Sequence, residues 1–169
     1  MRAGRPMSLA DLRRDRMHQL PSLSAQDRVK SARSVLRQAH SFRRAATAAL
    51  GEELTLPAVS SLHEAARLAV SAVAALDGYR FSNSAGAHEA VIDYAFASKL
   101  VDRVQFAQLD ELRELRHQVN YPADMIEPSR REVTQFEGLV DEVLKLAATR
   151  LPTPKIPPPP RTGSEPQIG

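Results

Sequence analysis

The sequence contains no cysteine and no tryptophan, and only 5% of its 169 residues are aromatic. Without cysteine there is no disulfide framework, no thiolate metal site and no thiol nucleophile, and a reducing cytoplasm is the simplest home. Long apolar runs are missing as well. No stretch approaches the roughly 20 residues of a membrane-spanning helix, and the opening MRAGRPMSLADLRRDRMHQL lacks the continuous apolar block of a secretory signal. The expectation is a soluble, unexported, cytoplasmic protein. Also lacking are a period-two alternation long enough for a strand, a repeat at fixed spacing, a phosphate loop, a dinucleotide-binding glycine pattern and a Gly-x-Ser-x-Gly nucleophile elbow.

What is present is helical patterning. Hydrophobic residues make up 43% of the chain; many are alanine, which suits close helix contacts, and the length fits one domain with its own core. From Ser24, a fitting N-cap, apolar residues recur at three- and four-residue steps through Val29, Ala32, Leu36, Ala39, Phe42, Ala46 and Leu50 to Gly51. A second stripe, Val59, Leu62, Ala66, Ala69, Val70, Val73 and Leu76, follows Pro57 and ends at Gly78. Ser82 and Ser84 are candidate caps for a third helix carrying Val91, Ile92, Ala95, Phe96 and Leu100. Asp102 caps a fourth, with Val104, Leu109, Leu112, Leu115 and Val119 in its stripe, and Pro122 closes it. The fifth opens with Ser129 and Glu132 at capping-box spacing before Val133, Phe136, Val140, Val143 and Ala147.

The reading is an all-α fold, an antiparallel up-and-down bundle of four to five helices over residues 24–150. Residues 1–23 form a basic N-terminal arm, read as mobile with a short helix from Ser8. Residues 151–169 hold seven prolines in 19 positions and form a disordered, Pro-rich tail.

Charge is distributed unevenly. Residues 1–44 hold 11 Arg or Lys against 3 acids, whereas residues 45–169 hold 12 against 17. Such a block attracts polyanions or serves as a solvated face or an intersubunit match; no aromatics are interleaved with it for base stacking.

The densest chemistry lies in ELRELRHQVNYP, residues 111–122. At about 100° per residue, Arg116 falls on the arc of Leu109, Leu112 and Val119, with Asn120 beside it and Arg113, His117 and Tyr121 forming an adjoining ridge. A cation facing a core needs a counter-charge or a ligand. Two readings follow. In one, Arg116 pairs with Asp93 or Glu89, and Arg113 with Asp110 or Glu114. In the other, the ridge borders a cleft for a phosphate-bearing ligand, with arginine as a clamp and His or Tyr handling a proton. His63 and His88 with an acid are a weaker metal candidate, because no close histidine pair is visible in the sequence. Tyr79, Arg80 and Phe81 are read as a loop anchored on the bundle.

A helical bundle whose late helix ends in LRELRHQVNYP resembles the HEPN superfamily. LHEAARLAVSAVAALDGYR and SNSAGAHEAVIDYA are similar to the middle helices of such domains, and the resemblance spans about residues 25 to 150. The family pattern is an arginine, a polar residue, a few further residues and a histidine. Arg116 and His117 match its opening; Tyr121 stands in the place of the closing histidine, as in an Arg-polar-x-x-x-Tyr subfamily.

The resemblance implies a homodimer in which both motifs line one cleft that binds RNA or a nucleotide. It also implies a metal-independent endoribonuclease or toxin–antitoxin component that uses no metal and no cofactor. Carried over, the catalytic set is Arg116 as phosphate clamp, His117 to orient it or act as base, and Tyr121, a poor base at its usual pKa of about 10. Arg113 and Asn120 are the ligand-binding residues. Related toxins carry a tyrosine that a nucleotidyltransferase antitoxin modifies, which makes such an enzyme a partner candidate. The alternative is a non-catalytic helical module for protein interaction. A DNA-binding regulator is the weakest reading, because no helix-turn-helix spacing stands out.

Overall fold

The computed structural model describes residues 6–20, 23–82, 86–120 and 127–152. Among these, the elements run α1 (Leu9–Asp15), β1 (Met17–Gln19), α2 (Ala25–Gly51), α3 (Thr55–Leu76), β2 (Tyr79–Phe81), α4 (Ala87–Ala97), α5 (Arg103–Asn120) and α6 (Arg130–Arg150). The all-α class holds, and the bundle is made by α2 to α6.

Helix α3 is its centre. It packs against α2, α4, α5 and α6, and 14 of its 22 residues are buried. A helix apolar on nearly all sides has to be covered on nearly all sides. Half of those buried positions are alanines, which keep the surrounding backbones close.

Several start signals act as their chemistry requires. Ser24 accepts the amide of Asp27 at 3.1 Å, and Ser129 and Glu132 form the reciprocal capping box of α6. Asp102 and Gln105 exchange two bonds at the head of α5, Gln105 N to Asp102 Oδ1 at 2.8 Å and Asp102 N to Gln105 Oε1 at 3.1 Å. Helix α4 departs from expectation: its N-cap is Gly86 at φ +81° with no side-chain cap, so Ser82 does not serve, and Ser84 lies outside the described residues. Gly78 has φ +85°, and a Cβ there would stand 2.9 Å from Arg28 Nη1. Glycine meets both demands.

Two apolar assignments fail. Phe42 is 41% and Val104 67% exposed; each has the right period but lies at the edge of its helix's buried arc. The other expected stripe residues of α6 are all buried.

The arm differs most from its expectation over residues 6–20. Leu12 is fully buried and Met17 nearly so. Strand β1 pairs antiparallel with β2 in the register Met17↔Phe81, His18↔Arg80, Gln19↔Tyr79. Asp93, fully buried, accepts the Met7 amide at 3.3 Å, and the Arg13 guanidinium lies 4.8 Å over the Tyr79 ring. Three-residue strands carry too little alternation to be read, and their pairing spans some 60 residues of chain. The Pro-rich tail beyond residue 152 and Pro122 lie outside the described residues.

Docking of the arm is testable by truncating its anchor. Leu12→Ala is expected to lower the unfolding free energy by about 2–5 kcal/mol in urea titrations followed by circular dichroism. A free arm would leave the midpoint unchanged.

Candidate functional site

Helix α5 is held in rotation by contacts at both flanks. Gln105 Nε2 donates to Glu142 of α6 at 2.9 Å, while Leu109 and Leu112 are buried. One turn on, Arg113 bonds the buried Asp110 at 2.9 Å and reaches Glu114 at 3.4 Å and Glu89 of α4 at 3.8 Å. Its side chain, 17% exposed, is thus surrounded by three carboxylates. This is the ion-pair reading made at the sequence level for Arg113.

Arg116 behaves differently. It is partly buried, on the stripe of Leu109 and Leu112, yet Glu89 is engaged by Arg113 and Asp93 by the Met7 amide. Among the described residues Arg116 makes no hydrogen bond or ion pair. His117 is exposed. The Asn120 side chain and the whole of Tyr121 lie outside the described residues, so the fold brings Arg113, Arg116 and His117 to one helix end without placing the other two.

Facing Arg116 are the two histidines that the sequence offered as a weak metal candidate. His63 of α3 and His88 of α4 have ring centroids 5.2 Å apart, tilted by 47°. His63 is 6% exposed. Burial pushes its pKa down to about 3, helped by His88 and by the charge of Arg116. His88 is lowered in the same direction by burial, then by Arg116 and Arg67. Both rings are therefore neutral at pH 7. Beside them Glu64 takes Arg67 Nε at 2.8 Å and Nη2, and that bond holds the Glu64 carboxyl below its usual range.

The pair is closer than the sequence suggested, but cations surround it, and among the described residues no group of three His, Asp or Glu is arranged to hold a metal. What the cluster offers is a neutral imidazole beside a guanidinium with no counter-charge among the described residues. That Glu64, Arg67 and Arg116 gather round the two histidines depends on how three helices meet.

Two clefts lie close by. One, of about 730 Å³, opens between α2, α3, β2 and the start of α4 and reaches Arg67 and His88. The other, about 430 Å³ between α5 and α6, is lined by Glu111, Glu114, Glu127 and Glu132. Four carboxylates make the second hostile to an anion, and Arg67 and His88 make the first the better of the two for a phosphate.

A family model described as HEPN domain matches residues 32–151. The chain belongs to the HEPN family. The match takes in most of α2 and all of α3 to α6, with the end of α5 inside it. No curated protein and no solved structure matches significantly. No described helix of this HEPN protein is long and apolar enough to cross a membrane.

The neutral state of His63 fixes a pH dependence. Its folded pKa is depressed, so below about pH 6.5 the unfolded chain binds a proton that the folded one refuses, and stability falls as pH drops from 6.5 towards 3. His63→Leu is expected to flatten this loss by up to about 1.4 kcal/mol per pH unit in urea denaturation across that window. A variant curve parallel to wild type would mean that His63 titrates like a solvated imidazole.

Proposed function

We propose that this HEPN protein binds RNA or a nucleotide at the end of α5 and, as a homodimer with both sites in one cleft, cleaves RNA without a metal. The observation that carries the reading is Arg116. Arg43, Arg67 and Arg113 each bond at least one carboxylate, whereas Arg116 sits on an apolar stripe with no such partner among the described residues. A partly buried cation without a counter-charge is an anion site waiting for its ligand.

The roles follow from chemistry. Arg116 holds the phosphate in a bidentate clamp, and Arg113, fixed by its carboxylates, supports α5. His117 is exposed at the same end and orients the phosphate or takes the proton of the ribose 2′-hydroxyl. Tyr121 and Asn120 complete the set in sequence. A phenol of ordinary pKa is a weak base at neutral pH, which places the proton transfer on an imidazole. Such an activity fits a toxin component controlled by a protein partner, a nucleotidyltransferase among them.

Incubating wild-type and Arg116→Ala protein with total RNA in EDTA, with cleavage read on a denaturing gel, tests this directly. Cleavage by wild type alone is expected, with Arg116→Ala reduced by at least about 100-fold and folded by circular dichroism. Equal cleavage by both proteins, or cleavage by wild type only when Mg²⁺ is restored, would refute the assignment.

A further inference from the structure

The cleft beside α4 is left unused by the phosphate site at the end of α5. Its volume of about 730 Å³ lies in the range of small-ligand pockets. Its lining combines donors, Arg67, Arg80, Ser71 and His88, with the aromatic wall of Tyr79 and Phe81. Such a mixture matches a ligand with an anionic end and a flat apolar end.

Glu64 also lines it, but its carboxylate is occupied by Nε and Nη2 of Arg67, and Nη1 makes no hydrogen bond among the described residues. The charged and titratable groups facing His88 are His63, Glu64 and Arg67 of α3 and Arg113 and Arg116 of α5. Arg113 is matched by its own carboxylates and Arg67 shares Glu64 through Nε and Nη2, so Nη1 of Arg67 and the His88 ring are the donors left to meet an anion in the cleft. His88 is common to this cleft and to the neighbourhood of Arg116, so the two are adjoining parts of one surface.

We propose that the cleft is a nucleotide subsite, taking one nucleoside monophosphate unit with its phosphate against Arg67 Nη1 and His88 and its base along the Tyr79–Phe81 wall. Binding of the nucleotide stands on the cleft alone; its place in a longer strand rests on the phosphate site proposed at Arg116. The neutral ring of His88 accepts a proton as the phosphate approaches, since an adjacent anion favours the charged imidazole.

The test uses the full chain with two probes, 5′-UMP and a fluorescein-labelled decauridylate. His88 ring signals are followed by NMR, assigned through His88→Gln, and affinities by calorimetry and anisotropy. Both probes are expected to shift the His88 resonance and move its titration to higher pH. Ser71→Phe, which fills the cleft, is expected to weaken both probes about tenfold with helicity unchanged, while Arg116→Ala weakens only the decauridylate.

A His88 resonance unmoved by either probe would overturn the subsite, as would Ser71→Phe and His88→Gln variants that both bind within about twofold of wild type. If Arg116→Ala binds decauridylate normally while the cleft variants lose it, the subsite stands and the α5 reading falls. A response to decauridylate but not to 5′-UMP assigns the cleft to an RNA strand rather than a free nucleotide.

Discussion

Burial of α3 on almost every side is the constraint from which the rest of this fold follows. Such a helix cannot carry charge except at an edge, because an unpaired charge inside costs several kcal/mol. Its seven buried alanines, from Ala58 to Ala75, let α2, α4, α5 and α6 close around it. The ionisable residues it does carry, His63, Glu64 and Arg67, are pressed into one seam. There Glu64 and Arg67 neutralise each other, and His63 gives up its proton instead. The chemistry of the seam is thus set by the demand for a dry centre.

The same low-dielectric setting explains how α5 presents Arg116. Arg113 is drawn towards Asp110, Glu114 and Glu89, which ties α5 to α4 and fixes its rotation about its axis. With that rotation fixed, Arg116, three residues on, faces His63 and His88, and Glu111 and Glu114 face the groove with α6. One side of α5 is consequently anion-attracting and the other anion-repelling. Neither face alone would define a site; the contrast between them does.

Much of this was legible because helical burial writes itself into the sequence at a fixed period. The stripes of α3 and α6, the capping box at Ser129 and the cap at Asp102 are local properties, and Arg116 stood out because it occupies a position seven residues after Leu109. What was not legible is what depends on contacts between distant segments. Phe42 and Val104 share the period of their neighbours, yet the width of a buried arc is decided by the partner helix. The β1–β2 pair has no signal in three residues, and the meeting of His63 with His88 follows only from how α4 crosses α3.

The basic excess of the first 44 residues reads differently once the arm is docked. Arg14 pairs with Asp11 and Asp15, Arg13 stands over Tyr79 and 4.0 Å from Asp77, and Arg43 bridges Glu137 and Asp141 of α6. Arg28 lies along Gly78, whose carbonyl accepts the Leu20 amide at 2.8 Å. These cations hold the arm and α2 in place rather than offering free charge to a polyanion. The docked arm forms the β1–β2 pairing, which sets Tyr79 and Phe81 along the cleft and brings Leu20 of the arm to its edge. A segment that looked like an electrostatic lure therefore builds an edge of the pocket, while Lys30, Arg37 and Arg44 on α2 keep exposed side chains.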